Sequence, residues 1–349
     1  MHLMAARRLR RIRSALSLLL AASLMTAVAA ARASAQTATK ASPLARADQL
    51  VAAGQVDAAR VIIEQVLADD PASAAANDRL GFVLGLQGKT EEALARFERA
   101  VALNPDLAEA QYHLGATRWW TKQVDGARAP LERAVALRPA HAESRYYLGL
   151  VKRQQGDLAG AAEELRVAVK ADPKLAVAHL QLGATLQAWG DIDGAIQSLE
   201  RAVALDPARA DAANSLGLAL MQKGDAERAV RILREAVQRH PEFGTARLNL
   251  GNALLQGGDV EAALEQYREL ARREPSNAEA AYDLGLALKQ KDDFAGAESA
   301  FRTALGLDRS MPIGIGFDDP HDLAAWSEVS LDVREVMGKC LEIDAGVGG

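Results

Sequence analysis

The stretch that decides the fold is Ala210–Phe243, which reads ADAANSLGLALMQKGDAERAVRILREAVQRHPEF and is 34 residues long. Its Leu-Gly pair, Leu216–Gly217, returns at steps of 34 residues, at Leu80-Gly81, Leu114-Gly115, Leu148-Gly149, Leu182-Gly183, Leu250-Gly251 and Leu284-Gly285. Ala229 and Pro241 recur at the same step, and no insertion breaks the register. A fixed period of this length indicates stacked repeats, each of which buries its apolar face against its neighbours.

One unit predicts a pair of helices. Residues 210–223 carry an apolar stripe at helical spacing, and Gly224 ends that helix because glycine readily takes the left-handed conformation. Asp225 can cap a second helix over residues 226–238, which Pro241 keeps from continuing. Gly217 and Ala229 are small where the two helices must approach each other closely.

The Leu-Gly, alanine and proline positions resemble the tetratricopeptide repeat, although the leading tryptophan position is filled by other residues, such as Ala213. The resemblance implies an all-α fold, a right-handed α-solenoid of eight helix-turn-helix repeats. The repeats span residues 40–73, 74–107, 108–141, 142–175, 176–209, 210–243, 244–277 and 278–311. Residues 312–349 are expected to supply a link, a capping helix from about Pro320 to Ile343, and a tail.

The chain begins with a segment typical of a secretory signal peptide. Arginines dominate residues 7–13, residues 14–30 form an apolar run, and Ala33-Ser34-Ala35 has the small-x-small form of a cleavage site before Gln36. Residues 1–35 are therefore expected to be removed, which leaves 36–39 as a short linker and an exported, periplasmic or secreted protein. The alternative is an uncleaved membrane anchor, for which the apolar run is short.

Composition limits the partners. The net charge is −5, and the six arginines of residues 1–35 leave the rest of the chain more acidic still, which argues against nonspecific binding of nucleic acid. Cys340 is the single cysteine, so it either pairs with another chain or packs as a small apolar residue.

In the tetratricopeptide family the first helix of each pair lines a concave groove, and the resemblance places certain exposed positions there. These positions predict a partner-binding groove that is apolar and aromatic along its middle. The predicted contact residues are Tyr112, Trp119, Trp120, Tyr146, Arg153, Leu180, Asn214, Met221 and Asn252.

The third repeat departs from the others. Arg118 stands where its neighbours carry leucine, Lys122 stands where a glycine closes the first helix, and Pro130 falls inside the second helix. Clustered Trp, Tyr and Arg dominate binding hot spots, so the departure is either a ligand-contact patch or a drifted repeat whose tryptophans pack against a bent helix.

No arrangement of residues indicates catalysis, and the chain is not expected to be an enzyme or to bind a cofactor or a metal. His113, His141, His179 and His240 each stand alone in the sequence, and the run Asp318–Asp322 fits a helix start better than a metal site. Some members of the family grip a C-terminal carboxylate with lysines and asparagines, but here Asp283 stands where a base would be needed.

The sequence therefore predicts a non-catalytic interaction scaffold of the cell envelope that holds an extended peptide or helix of a protein partner. Two alternatives stay open: a structural subunit of a polysaccharide or pilus export or secretion assembly, and glycan binding through the Trp/Tyr patch. Self-association through the ends of the array is a further possibility.

Overall fold

The structure, a computed structural model, describes residues 42–308, and within that range it contains helices and no strand. The helices are α1 Pro43–Ala52, α2 Val56–Asp69, α3 Ala74–Leu86, α4 Thr90–Leu103, α5 Ala108–Trp120, α6 Val124–Leu137, α7 Ala142–Gln154, α8 Leu158–Ala171, α9 Ala176–Trp189, α10 Ile192–Leu205, α11 Ala210–Lys223, α12 Ala226–Arg239, α13 Gly244–Gln256, α14 Val260–Arg273, α15 Ala278–Gln290 and α16 Phe294–Leu307. From α3 onwards, each first helix begins at the residue where the sequence pattern starts a repeat. The predicted signal peptide, Cys340, the run Asp318–Asp322 and the predicted capping helix lie outside the described residues.

The described chain divides into two compact units. Unit 1 contains α1–α9 and unit 2 contains α10–α16, with the division after Asp191. Each unit is a stack of antiparallel helices in which every helix packs on the next along the chain. The predicted all-α helical-repeat solenoid is confirmed.

The Leu-Gly glycines are required by the close packing of the two helices of a repeat. A Cβ built on Gly217 would lie 2.5 Å from Leu233 Cγ, and one on Gly115 would lie 2.5 Å from Leu131 Cγ. Carbon atoms in contact are ordinarily about 3.5–4.0 Å apart, so no side chain fits at either site. The expectation that Gly217 is small because the helices approach closely is confirmed.

The turn between the helices follows the predicted chemistry. Gly224 has a φ of +86° after α11, and the Asp225 side chain accepts a hydrogen bond from the backbone N–H of Arg228 at 3.2 Å. In the third repeat Lys122 takes the same left-handed conformation, with a φ of +67°. A lysine there has a steric cost that a glycine avoids.

Within each unit the first helices of successive repeats contact one another, whereas the second helices do not approach one another as closely. The first helices therefore form the inner side of each stack. We call these surfaces the first-helix face of unit 1 (α1, α3, α5, α7 and α9) and the first-helix face of unit 2 (α11, α13 and α15). Among residues 42–308, no helix has the length and apolar character needed to cross a membrane.

Candidate functional site

The first-helix face of unit 1 is built around aromatic rings from α5, α7 and the turn between α6 and α7. Tyr112 packs edge-on against His141 with ring centroids 5.0 Å apart, and Tyr146 packs edge-on against Tyr147 at 5.0 Å. Tyr112 and Tyr147 join the two pairs at 6.1 Å. We call these four residues the aromatic cluster. Edge-to-face packing of this kind is an energetically favoured arrangement of aromatic rings.

Successive repeats are linked through the fifth residue of one repeat and the sixth residue of the next, counted from the first residue of each repeat. In unit 1, His113 Nδ1 lies 2.8 Å from Asp78 Oδ1, and the Asp78 side chain is buried. The expectation that His113 stands alone is therefore wrong, because stacking brings together two residues that are 35 positions apart. His141 also has a carboxylate near it, since its Nε2 lies 3.3 Å from Glu143.

The two adjacent tryptophans of α5 have different surroundings. Trp120 donates its indole N–H to the Tyr147 hydroxyl at 3.2 Å, so this side chain is anchored to the aromatic cluster. Burial raises the pKa of Tyr147 well above its usual range, which keeps its hydroxyl protonated. Trp119 is half-buried and has the Lys122 ammonium 6.0 Å from its ring centroid. Trp119, like Trp120, packs against the buried side chains around Tyr112 and Tyr147.

The departures of the third repeat compensate for one another. Pro130 lies inside α6 and has no backbone N–H, so it cannot donate to the carbonyl of Gly126 four residues earlier. Arg118 takes over that role, because its Nη1 donates to the Gly126 carbonyl at 2.9 Å. Its Nη2 donates to Glu98 Oε1 at 2.9 Å. The Arg118 side chain therefore contacts the second helices α4 and α6, and it stabilises the packing of the third repeat.

Two further predicted residues complete the face of unit 1. Arg153 of α7 donates to Gln181 of α9 through Nη1 at 2.5 Å, so its guanidinium bridges two successive first helices. Leu180 lies beside Gln181 and is buried. Arg153 is half-buried and lies on α7, the helix that also carries Tyr146 and Tyr147.

The first-helix face of unit 2 carries amides where unit 1 carries rings. Asn249 of α13 donates through Nδ2 to Asn214 Oδ1 of α11 at 2.8 Å, in the same fifth-to-sixth arrangement as Asp78 and His113. Tyr267 of α14 donates its hydroxyl to Asn252 Oδ1 at 2.5 Å. Burial raises the Tyr267 pKa, so the hydroxyl stays a donor and fixes which end of the Asn252 amide accepts. Met221, at the end of α11, is half-buried, and its carbonyl accepts from Gln256 Nε2 at 3.0 Å.

Asp283 of α15 ends this row of polar groups. Its side chain is bonded to Asn252, and burial, with Glu279 as a further cause, raises its pKa to about 6. The second oxygen, Oδ2, is buried and has no hydrogen-bond partner. The residue that precedes it in the fifth-to-sixth arrangement is Leu248, which has no polar group to offer.

The nine predicted contact residues divide by exposure. Trp119, Trp120, Tyr146, Arg153, Met221 and Asn252 are half-buried on the two faces. The expectation of an exposed side chain is wrong for Tyr112, Leu180 and Asn214, which are 5%, 4% and 9% exposed, because the adjacent first helix covers the fifth position. Contact of these residues with a partner stays a prediction. Sequence reasoning missed the contact of His113 with Asp78, although their spacing of 35 residues was the available signal.

Metal ligation finds no support in the part of the chain that the structure describes, since residues 42–308 hold no group of three or more His, Cys, Asp or Glu side chains placed to share an ion.

The repeat pattern matches a known family. The family described as tetratricopeptide repeat matches residues 121–176, 180–242, 215–276 and 248–312, which together make up more than half of the chain. A second family, described as TPR repeat, matches residues 84–119. The chain belongs to the tetratricopeptide repeat family. A sequence comparison with curated proteins finds no match.

Solved structures of other repeat proteins are similar to this one. The chain resembles the Cut9–Hcn1 hetero-tetramer of the APC/C with a TM-score of 0.51 and 17% identity, over 77% of this chain and 53% of that one. It resembles PilF of Pseudomonas aeruginosa with a TM-score of 0.50 and 21% identity, over 58% of this chain and 92% of that one. YrrB, a TPR protein with an unusual peptide-binding site, aligns with a TM-score of 0.48 and 23% identity, over 53% of this chain and 95% of that one. These similarities concern the fold alone.

Proposed function

We propose that this tetratricopeptide repeat protein is a non-catalytic scaffold that holds an extended peptide or a helix of a protein partner on its first-helix faces. The fold is that of a protein–protein interaction scaffold. The observation that carries the finer proposal is the half-buried patch of Trp119, Trp120, Tyr146 and Arg153 on the face of unit 1. Tryptophan, tyrosine and arginine are the residues most enriched in binding hot spots.

The rigid surroundings of this patch support the proposal. Trp120 is anchored to Tyr147, and Arg153 is held by Gln181, so little side-chain freedom remains to be lost on binding. Preorganised side chains of this kind increase affinity because less conformational entropy has to be given up. The rings offer apolar surface, and the guanidinium offers hydrogen-bond donors to a backbone carbonyl or a carboxylate.

The proposed place of action is the cell envelope. This part rests on residues 1–35, with their basic start, apolar run and small-x-small end before Gln36. N-terminal sequencing of the protein purified from its native cells tests it. A chain that starts at Gln36 and is recovered outside the cytoplasm is the expected result. A chain that keeps residues 1–35 and stays with the membrane would instead favour the anchor.

Affinity capture from the native envelope tests the binding surface. The wild type is compared with a variant carrying Trp119→Ala and Arg153→Ala, which spares the buried Tyr112 and Tyr147. We expect the variant to lose at least tenfold in affinity for the captured protein, as the removal of two hot-spot side chains implies. Circular dichroism and a thermal melt establish that both proteins are folded.

Trp189→Ala is the matched control. Trp189 is 49% exposed, and its ring lies 5.8 Å from the guanidinium carbon of Arg166, which belongs to the second helix α8. Its removal also deletes a tryptophan, from the end of the first helix α9, but one whose ring lies against the second helix α8 and outside the proposed patch, so capture should be unchanged. Equal capture by all three proteins would overturn the proposal and favour the structural subunit of an export assembly. Retention on peptidoglycan or exopolysaccharide, with no protein captured, would favour glycan binding.

A further inference from the structure

A cleft lies on the second-helix side of unit 2, between repeats six and seven. Its volume is about 530 Å³, and α12 forms most of its lining. The end of α13 completes it with the buried Leu254 and the exposed Gly257. The residues of α12 that line it include Ala226, Glu227, Val230, Arg231 and Arg234. Because Glu227, Arg231 and Arg234 are exposed, a partner can reach them from solvent.

At four other junctions between successive repeats, a long side chain crosses the corresponding place. The fourteenth residue of one repeat donates to an acid that is the eighteenth residue of the repeat before it. The four pairs are Gln87 with Asp57, Gln155 with Asp125, Lys223 with Asp193, and Lys291 with Glu261. In the cleft the eighteenth residue is Glu227, but the fourteenth is Gly257, which has no side chain. The cleft is therefore the place of a missing donor.

The remaining two junctions are bridged in other ways. The Trp189 ring lies 5.8 Å from the guanidinium carbon of Arg166 in α8. Thr121 bonds within α5, but Arg118 donates to Glu98 of α4 at 2.9 Å. Among the junctions within residues 42–308, the one between repeats six and seven thus lacks a bond or ring contact from the end of the first helix to the preceding second helix.

Neither the backbone nor the packing requires a glycine at residue 257. Gly257 has a φ of −79°, and the left-handed conformation of the turn is taken by Gly258, with a φ of +85°. A Cβ on Gly257 would lie 3.4 Å from its nearest non-neighbouring atom, so a side chain fits there. The missing side chain leaves charges of α12 unpaired, since within the described residues Glu227, Arg231 and Arg234 make no side-chain ion pair or hydrogen bond.

The other junctions indicate which donor belongs in the cleft. Two of the donors are glutamines, and each also accepts, through its amide oxygen, from an arginine that is the twenty-first residue of the preceding repeat. These pairs are Gln87 with Arg60 at 3.3 Å and Gln155 with Arg128 at 3.1 Å. Where that residue is apolar, Ile196 or Leu264, the donor is a lysine. In repeat six it is Val230, so the cleft matches a lysine.

The two arginines of the cleft add a second requirement. Arg231 and Arg234 are one helical turn apart, and two nearby acids are already engaged, since Glu235 accepts from Arg239 at 3.2 Å and Asp259 caps α14. Two guanidinium groups repel a lone ammonium group. A segment that brings a lysine must therefore also bring a carboxylate, with which arginine forms strong charge-assisted hydrogen bonds.

We propose that this cleft is a docking surface in its own right, which binds a protein segment through a lysine placed on Glu227 and an acidic side chain placed on Arg231 and Arg234. The lysine takes the place that Lys223 and Lys291 occupy at their own junctions. This inference goes beyond the proposed function, because the charged residues that carry it lie on the second helix α12 and not on a first-helix face.

Selection from a library of random peptides displayed on phage tests the inference. The library is selected on the full chain, and each recovered peptide is then tested on Gly257→Lys, which fills the cleft from within as Lys223 does beside Asp193. Gly306→Lys is the matched control, because it adds the same side chain at an exposed position of α16 where a Cβ meets no atom within 4 Å. We expect a class of peptides that requires the open cleft and carries a lysine close to an aspartate or glutamate.

Affinities measured by fluorescence anisotropy give the size of the effect. For this class of peptides, Gly257→Lys should weaken binding by at least about tenfold, whereas Gly306→Lys should change it by less than about twofold. Glu227→Gln should weaken binding only about threefold, because an exposed ion pair contributes little. Replacing the peptide's lysine by methionine should weaken binding to the wild type by the same factor and have no further effect on Glu227→Gln.

Gly257→Gln is a second blocking variant, and circular dichroism establishes that every variant is folded. The inference is overturned if no peptide is selected, if all selected peptides bind the wild type and both blocking variants equally, or if the displaced peptides lack a lysine. The scaffold proposal is judged separately. A peptide held on the first-helix face of unit 1 loses affinity when Trp119→Ala and Arg153→Ala are combined, and not on Gly257→Lys.

Discussion

Repeats three and six have nearly the same helix bounds but different residues. In repeat six, α11 ends at Gly224 and Leu220 is fully buried beneath α12. In repeat three, lysine replaces the glycine, and Arg118 replaces the leucine. Both repeats keep the Leu-Gly glycine, which lies against a leucine of the second helix in each case. The comparison indicates that a few small residues set the backbone path and that the other positions can vary where they are compensated.

The largest expected effect tests the shared feature. Gly217→Ala and Gly115→Ala each place a methyl group 2.5 Å from a leucine Cγ, Leu233 and Leu131 respectively. We expect each to lower the free energy of unfolding by about 1–3 kcal/mol, as overpacking does. Chemical denaturation followed by circular dichroism measures this.

Gly306→Ala is the control for these two changes. A Cβ on Gly306 meets no atom within 4 Å, and the residue lies inside α16. Replacing it should stabilise the protein by up to about 1 kcal/mol through helix propensity. If Gly217→Ala and Gly306→Ala changed the free energy of unfolding equally, close helix packing would not be the reason why the Leu-Gly pairs recur at regular spacing along this chain.

The second prediction tests the compensation within repeat three. Arg118→Leu restores the residue type of repeat six, but it removes the donor to the Gly126 carbonyl that Pro130 cannot supply. With Pro130 present, we expect a loss of about 0.5–1.5 kcal/mol, the net contribution of one hydrogen bond, because Gly126 is exposed and water can partly replace the lost donor. With Pro130→Ala, the alanine N–H can bond to Gly126, and the loss should be smaller.

A double-mutant cycle isolates this coupling. The ion pair of Arg118 with Glu98 is lost in both backgrounds, so its contribution cancels. We expect a coupling of about 1 kcal/mol from denaturation curves of the four proteins. Additive effects would mean that Arg118 and Pro130 are independent departures.

These features show what the sequence can predict. The 34-residue period predicts the helices, their glycine ends and the Leu-Gly contact, because those depend on neighbours within one repeat. The link between Asp78 and His113 could not be read from either residue alone, since it depends on how one repeat lies on the next. For the same reason, Tyr112 was expected to be exposed, although the adjacent helix covers it.

The third prediction extends the comparison to the sixth position of repeats three and eight, where His113 has a carboxylate partner and Asp283 does not. Burial raises the Asp283 pKa from 3.8 to about 6, so the folded protein binds a proton more tightly than the unfolded chain does. The contribution of Asp283 to stability therefore falls as the pH rises from about 4 to about 6 and stays lower above that range.

Asp283→Asn removes this dependence. Compared with the wild type, the variant should be stabilised on the order of 1 kcal/mol at about pH 7.5, a value reduced for solvent screening, and little changed at about pH 4. Thermal melts of both proteins at the two pH values provide the measurement. The contacting groups Asn252, Tyr267 and Glu279 are the same in both proteins, so the difference reports on Asp283. A variant that is no more stable at the higher pH would contradict the proposed cost of the carboxylate.

The smallest expected effect concerns the turn of repeat three. Lys122 has a φ of +67° where Gly224 of repeat six has +86°, and a side chain in that region has a steric cost of about 1–2 kcal/mol. Glycine removes this cost but gives the unfolded chain more conformational freedom, which offsets part of the gain. Lys122→Gly should therefore stabilise the protein by about 0.5 kcal/mol, and Gly224→Lys should destabilise it by more, because the lysine brings the full steric cost to a turn that has none.

The contact of Lys122 with Trp119 provides a second readout, since its loss should alter the fluorescence of that tryptophan while the helices persist. A destabilised Lys122→Gly would mean that the ammonium–indole contact stabilises this turn by more than the left-handed backbone costs it, and the residues of repeat three would then be favoured for their own contacts rather than tolerated.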